Sequence, residues 1–212
     1  MTSEHDRPAT DAATDAATDA ATDAATGPAM GQILTTGRGA LPFALLDGEP
    51  LVALASRALD EAGVVIVDFT VELAGVRDQG RALVLHDPLC PLTPASFLRA
   101  AVEFAEDDDV VVVAVQPVTD TIKTARHGVV GDTVDREGLW LLSSPVVLPA
   151  SLVAGLDRWP DADDLPALVA RLRVQCEVRF LEAPVLARRV EDESAVAVLA
   201  ALAQEQPAAV EE

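Results

Sequence analysis

Short apolar runs alternate with segments of helical period along most of this chain. Residues 110–115 read VVVVAV and are closed by Pro117. A run this short and this rich in β-branched side chains reads as a strand buried on both faces. Proline has no N–H to give to a ladder, so pairing is expected to stop at 117. Residues 64–69 and 82–85 read as further buried strands, and 32–36 and 178–181 as shorter ones. Between them, helical spacing predicts a helix over 50–62, with Leu51, Leu54, Ala55 and Leu59 on one face and Pro50 at its first position. A second is predicted over 94–106, with Phe97, Ala101, Phe104 and Ala105 facing inward and Thr93 as N-cap. Others cover 149–156, 165–173 (after a turn and cap at 161–164) and 192–203, while 71–80 is ambiguous. Strands alternating with helices predict an α/β fold, a mostly parallel sheet with helices on both faces.

The pattern breaks just past residue 117. Asp120, Thr121 and Lys123 follow, then turns at His127-Gly128 and Gly131-Asp132, then Thr133, Asp135 and Arg136. Ligands of open α/β sheets sit outside the carboxyl ends of the strands, where these side chains fall. The same residues also suit a plain polar loop whose Asp and Thr side chains cap turns. Residues 35–39, TTGRG, form a glycine turn after the first strand. Such a turn can aim backbone N–H groups at a phosphate. It can equally be only a tight turn.

The two ends differ from the middle. Residues 10–26 repeat Asp-Ala-Ala-Thr, which sets Asp11, Asp15, Asp19 and Asp23 at i, i+4. Like charges at that spacing oppose a helix, and no large apolar residue offsets the ordering entropy. Residues 1–28 are therefore expected to be a disordered acidic extension, 29–204 the folded domain and 205–212 a flexible end. The extension has neither the basic nor the apolar region of a signal peptide.

Half the residues are hydrophobic, yet aromatics make up 3% and Tyr is absent, so the core must be built from Val, Leu and Ala. The net charge is -20, and Lys123 is the only lysine among 15 basic residues. That balance excludes nucleic acid and anionic membrane surfaces as partners, since both require a basic footprint. It also makes a triphosphate site hard to assemble. No apolar run approaches the ~20 residues of a membrane span. Cys90 and Cys176 have no metal-ligand spacing and fit a reducing, cytoplasmic setting.

Three segments together carry a resemblance. Residues 84–91, VLHDPLCP, resemble the "VHDAARP" strand end of the 2-C-methyl-D-erythritol 4-phosphate cytidylyltransferases. Residues 117–123, PVTDTIK, are similar to their "PVxDTxK", and 133–140, TVDREGLW, to their "TVDRxGLW"; Ser144-Pro145 continues the match. The resemblance implies a Rossmann-like nucleotidyltransferase fold with a protruding dimerisation arm at about 120–138, and a homodimer. It implies transfer of a cytidylyl group from CTP to a polyol phosphate in non-mevalonate isoprenoid synthesis, with release of pyrophosphate. By the same resemblance, Arg38 and Asp87 are catalytic, and Asp87 also holds Mg²⁺ if nucleotide binding is retained. Asp120, Thr121, Lys123 and Arg136 contact the polyol phosphate. Gly37, Gly39, and Arg188 or Arg189 contact the nucleotide.

The departures fall on one half of that site. Phe43 follows Pro42 where the family has its loop lysine, and the loop itself is short. The segment that frames cytosine has no counterpart between 64 and 82, Cys90 stands at the arginine of "HDAARP", and Leu186 at a late lysine. The implied activity is therefore a cytidylyltransferase with weakened or lost turnover. Two alternatives remain: a non-catalytic binding or regulatory subunit, and a nucleotidyltransferase for another sugar or polyol phosphate. Deleting residues 1–28 is expected to leave the melting temperature nearly unchanged, as differential scanning calorimetry would show; a fall of many degrees would mean that the extension packs on the domain.

Overall fold

The structure is a computed structural model that describes residues 29–68 and 70–205. The expected disordered extension at 1–28, Phe69, and residues 206–212 of the expected flexible end lie outside the described residues.

One sheet of six strands organises the chain. Its strands are β1 (Met30–Ile33), β4 (Val65–Ile66), β5 (Leu83–His86), β6 (Val111–Pro117), β9 (Trp140–Leu148) and β10 (Val178–Glu182), in the order β10-β6-β9-β5-β1-β4. All neighbours run parallel except β9, which lies antiparallel between β5 and β6. The valine run is thus an interior strand, and its ladder does end at Pro117, opposite Trp140. Val111, Val113 and Val115 enter one core cluster, while Val110 and Val112 enter the other. β5 and β9 alternate in the same way. A period of two with both sets apolar is what a strand covered on both faces requires.

Helices supply the two covers. On one face lie α1 (Leu51–Glu61), through Ala58 and Leu59, and α3 (Ala95–Asp108), through Leu98, Ala101 and Ala105. On the other lie α2 (Leu73–Arg77), α4 (Ala150–Ala154) and α5 (Leu165–Gln175), the last through Leu165, Leu168, Val169 and Leu172. α6 (Glu193–Glu205) packs Val196 and Leu199 against Leu46 of a small hairpin, β2 (Leu45–Leu46) and β3 (Glu49–Pro50).

Several local expectations change. The strand expected over 64–69 is only Val65–Ile66, and both side chains are exposed because β4 is the sheet edge. β1 begins two residues early, and the chain leaves the sheet at Thr35. Thr93 does not cap α3; its hydroxyl donates to the carbonyl of Cys90 at 2.8 Å, and Pro94 takes the cap position. Leu98, rather than Phe97 or Phe104, is the large side chain fully buried on that helix.

The polar segment after β6 is regular, not loop. β7 (Ile122–Arg126) and β8 (Val129–Val134) form a separate antiparallel hairpin. Its two-residue turn is His127-Gly128, with φ of 51° and 78°. Positive φ at both central residues marks a type I′ turn, which matches strand twist. Gly131-Asp132, expected as a second turn, lies inside β8. There a Cβ on Gly131 would stand 2.5 Å from Thr124 Oγ1.

β1 also needs a glycine. A Cβ at Gly31 would lie 2.6 Å from Val64 Cγ1, between the sheet and α1. Gly31→Ala is expected to destabilise the domain by about 1–3 kcal/mol, the usual cost of overpacking, as a lowered urea midpoint with an unchanged slope.

Candidate active site and its relatives

The carboxyl ends of β1 and β5 lie side by side, since the N–H of Leu34 still bonds the carbonyl of His86 at 2.9 Å. The glycine turn leaves from one end and Asp87 from the other. Asp87 has no exposure at all. Its Oδ1 accepts from the N–H of Leu89 at 3.0 Å. Its Oδ2 accepts twice, from Arg38 Nη2 and from Arg189 Nε, each at 3.2 Å.

Arg38 is held tightly. Gly37 and Gly39 flank it at positive φ, 74° and 60°, and so turn its side chain back into the protein. Only 3% of that side chain is exposed. Nη1 donates to the carbonyls of Thr36 and Asp163 at 2.7 and 3.1 Å, and Nη2 to that of Ala162 at 3.2 Å as well as to Asp87. Four bonds join the glycine turn, the 160–164 turn and the end of β5. Asp164 caps α5 by accepting from the N–H of Ala167 at 2.9 Å, which fixes that turn.

Arg189 arrives by another route. Residues 183–190 are stitched across the sheet's carboxyl edge: Gln116 donates to the carbonyl of Pro184 at 2.8 Å, Ser143 Oγ to that of Ala187 at 2.6 Å, and the N–H of Val190 to that of Leu89 at 2.8 Å. Of the two arginines considered for this position, Arg189 reaches Asp87; Arg188 is exposed and makes no bond to it. Arg38, Asp87 and Arg189 border an open cleft of about 620 Å³, closed by Trp140, Leu142 and Leu165 among others.

A buried polar layer supports Asp87. Ser144 Oγ accepts from the N–H of Asp87 at 2.8 Å and lies 2.7 Å from His86 Nδ1. A hydroxyl can donate once and accept twice, so Ser144 serves either tautomer of His86 through Nδ1 and leaves Nε2 to find its own partner. That nitrogen is buried without a partner. Burial pushes the imidazole down to about 4, against a smaller upward pull from Asp87. Cys90, where the family has arginine, lies 3.7 Å from Ser143 Oγ, and burial, then Asp87, push its thiol up to about 12. It is an inert core residue.

The expected polyol-phosphate contacts are elsewhere. Asp120, Thr121, Lys123 and Arg136 sit on the exposed hairpin arm, and none of them lines the cleft. Lys123 Nζ donates to Thr133 Oγ1 at 3.0 Å, and Arg136 to the carbonyl of Thr119. A second cleft, about 400 Å³, opens at the ends of β1 and β4. Asp68, Asp161 and Asp163 line it and no basic residue does. Phe43, at the position of the family's loop lysine, is 64% exposed.

The expected metal does not fit Asp87. Both carboxylate oxygens are engaged, and a magnesium ion, which keeps several waters, has no room beside a group with no exposure. No cluster of three or more metal-ligating side chains occurs among the described residues.

The family model of 2-C-methyl-D-erythritol 4-phosphate cytidylyltransferase matches residues 68–161. That segment, less than half of the chain, is what resembles the family in sequence. The enzyme of that name from Geotalea uraniireducens is 35% identical over 107 residues, 48% of this chain and 45% of the relative. That of Symbiobacterium thermophilum is 37% identical over 112 residues, 50% of this chain and 47% of the relative. The chain thus matches about half the length of these relatives. The crystal structure of the cytidylyltransferase from Thermus thermophilus superposes with a TM-score of 0.61 at 18% identity, over 84% of this chain and 99% of that one. 4-Diphosphocytidyl-2C-methyl-D-erythritol synthase from Anaerococcus prevotii does so with the same score at 11% identity, over 88% and 99%. The Rossmann-like nucleotidyltransferase fold therefore extends well beyond the segment matched by sequence.

Arg38, Asp87, Gly37, Gly39 and Arg189 come together; the arm residues stay apart from them. Sequence reasoning missed the carbonyls of Ala162 and Asp163 and the buried hydroxyls of Ser143 and Ser144. The only signals were a turn at 161–164 and the Ser-Pro match.

His86 makes stability depend on pH. Its folded pKa lies below the ordinary 6.5, so the unfolded chain binds more protons as pH falls from about 6.5 towards about 4. Its contribution is complete above that window and is lost progressively within it, by at most about 1.4 kcal/mol per pH unit. Urea titrations between these pH values are expected to show this slope, and His86→Gln to flatten it.

Proposed function

We propose that this protein is a divergent cytidylyltransferase of the non-mevalonate isoprenoid pathway that keeps the polyol-phosphate half of the site while its use of CTP is weakened or lost. The observation that carries this reading is where the family match lies. It spans residues 68–161, which hold Asp87, the arm and β9, and leaves out the glycine turn. The geometry supports the same division. A triphosphate needs several cations or a nest of N–H groups. The cleft beside the glycine turn is lined by carboxylates, Phe43 stands in place of a lysine, and Arg38 spends four bonds inside the protein. Mg²⁺, in this reading, would travel on the nucleotide's phosphates, not on Asp87.

A phosphomonoester needs less charge, and Arg136 with Lys123 supplies a forked donor and a point charge. These lie on the arm, so the reading includes a homodimer in which residues 120–138 of one copy reach the cleft of the other. The arm supports this: an isolated two-stranded hairpin is marginal in water, and Val129 and Val130 are 68% and 67% exposed. The crowding of Arg38 also favours a second reading, a non-catalytic subunit that pairs through the same arm.

Calorimetry on the full chain tests these points. Weak or undetectable CTP binding is expected with Mg²⁺, together with measurable binding of 2-C-methyl-D-erythritol 4-phosphate. Arg136→Ala is expected to weaken the latter about tenfold or more, because a hydrogen bond to a charged group is worth about 1.5–3 kcal/mol. Tight CTP binding, or pyrophosphate release at ordinary enzymatic rates, would overturn the loss of the nucleotide half. A monomer in sedimentation at micromolar concentration would overturn the shared site.

A further inference from the structure

We infer that Asp87 is a counter-ion to two arginines and not a metal ligand, and that Arg189 takes over at this cleft the anion-holding task that a divalent cation would perform. A dication about 2.1 Å from Oδ2 would stand within roughly 5 Å of both guanidinium nitrogens, given their 3.2 Å separations from that oxygen. It would meet two fixed positive charges where it needs oxygen ligands. Arg38 cannot move aside easily, because its other bonds tie it to the carbonyls of Thr36, Ala162 and Asp163. The two arginines therefore already neutralise Asp87, with one positive charge over.

Arg189 carries that surplus into the cleft. Among the described residues only its Nε is bonded, its side chain is 37% exposed, and it lines the 620 Å³ cleft. Its terminal nitrogens remain as a fork of donors, the geometry that suits a phosphate oxygen pair. Asp87 fixes the plane of that fork through Nε. Asp163 and Asp164 line the same cleft, although Asp164 is turned to its helix cap. Their charge opposes a polyphosphate more than a single phosphate group. The ligand class is thus one phosphomonoester held by guanidinium; this half of the inference rests on the phosphate reading above, and the exclusion of a metal from Asp87 does not.

Two measurements on the full chain separate the halves. Mn²⁺ electron paramagnetic resonance compares wild type with Asp87→Asn. Any Mn²⁺ bound is expected to be the same in both; a signal present in wild type and lost in folded Asp87→Asn would overturn the metal-free assignment. Calorimetry with inorganic phosphate, in EDTA and in millimolar Mg²⁺, is expected to give one affinity in wild type and at least a tenfold loss in Arg189→Ala. Arg189→Ala leaves Asp87 to Arg38 alone, so circular dichroism checks its fold, and Arg189→Lys, which keeps the charge beside Asp87 but not the fork, is expected to lose phosphate affinity as well. Phosphate binding that requires Mg²⁺ would overturn the metal-free assignment without any variant. Unchanged affinity in Arg189→Ala would overturn the role of Arg189. If wild type binds no phosphate, the phosphate reading and the anion half fall together, and the Mn²⁺ comparison still decides the metal half.

Discussion

One buried carboxylate shared by two guanidinium groups holds this molecule's functional edge together. Asp87 is a full charge with no exposure, which is tolerable only when paired and hydrogen-bonded. Arg38, Arg189 and the N–H of Leu89 meet that requirement. Removing one partner from a buried pair costs about 3–5 kcal/mol, because the other charge is then left uncompensated. The constraint therefore reaches outward along each partner: through Arg38 to the glycine turn and the 160–164 turn, and through Arg189 to residues 183–190. Four separate stretches of chain are held in register by one oxygen pair.

Beneath that pair lies a polar layer with little freedom. Ser144 spans from β9 to the end of β5, and Ser143 from β9 to the carbonyl of Ala187. β9 is the one antiparallel strand, so its start, not its end, lies at the carboxyl edge of its neighbours. This reversal puts two serines and Trp140 beside Asp87. In a low-dielectric layer each satisfied bond is worth more and each orphan costs more. The unpartnered Nε2 of His86 is such an orphan, and its low pKa is the electrostatic result of that burial.

The arm obeys a different logic. Its residues bury almost nothing against their own domain, and its polar groups satisfy one another across the hairpin. The sequence match to the family model lies in a segment that includes this arm, while the fold extends across nearly the whole described chain. The cleft and the arm are thus two separate features of one chain. Each is locally complete, and they are separated by the very strand, β6, that positions both.

Period and composition by themselves determined the architecture. The valine run, its stop at Pro117, the face of α1, and the alternation of strand and helix all follow from local rules that a sequence displays directly. The grouping of Gly37, Arg38, Gly39 and Asp87 came instead from the resemblance of their motifs to a known family. Only the tertiary structure decided what those groups do to one another. Backbone carbonyls carry no sequence signature, so the clasp of Arg38 by Ala162 and Asp163, 124 and 125 residues away, was invisible. The choice of Arg189 over Arg188 depends on how residues 183–190 lie across the sheet. The shrinking of the 64–69 strand to two exposed residues depends on its being an edge. Charge compensation at Asp87 is a property of distances, 3.2 Å from each guanidinium, and distances between residues far apart in the chain exist only once it has folded.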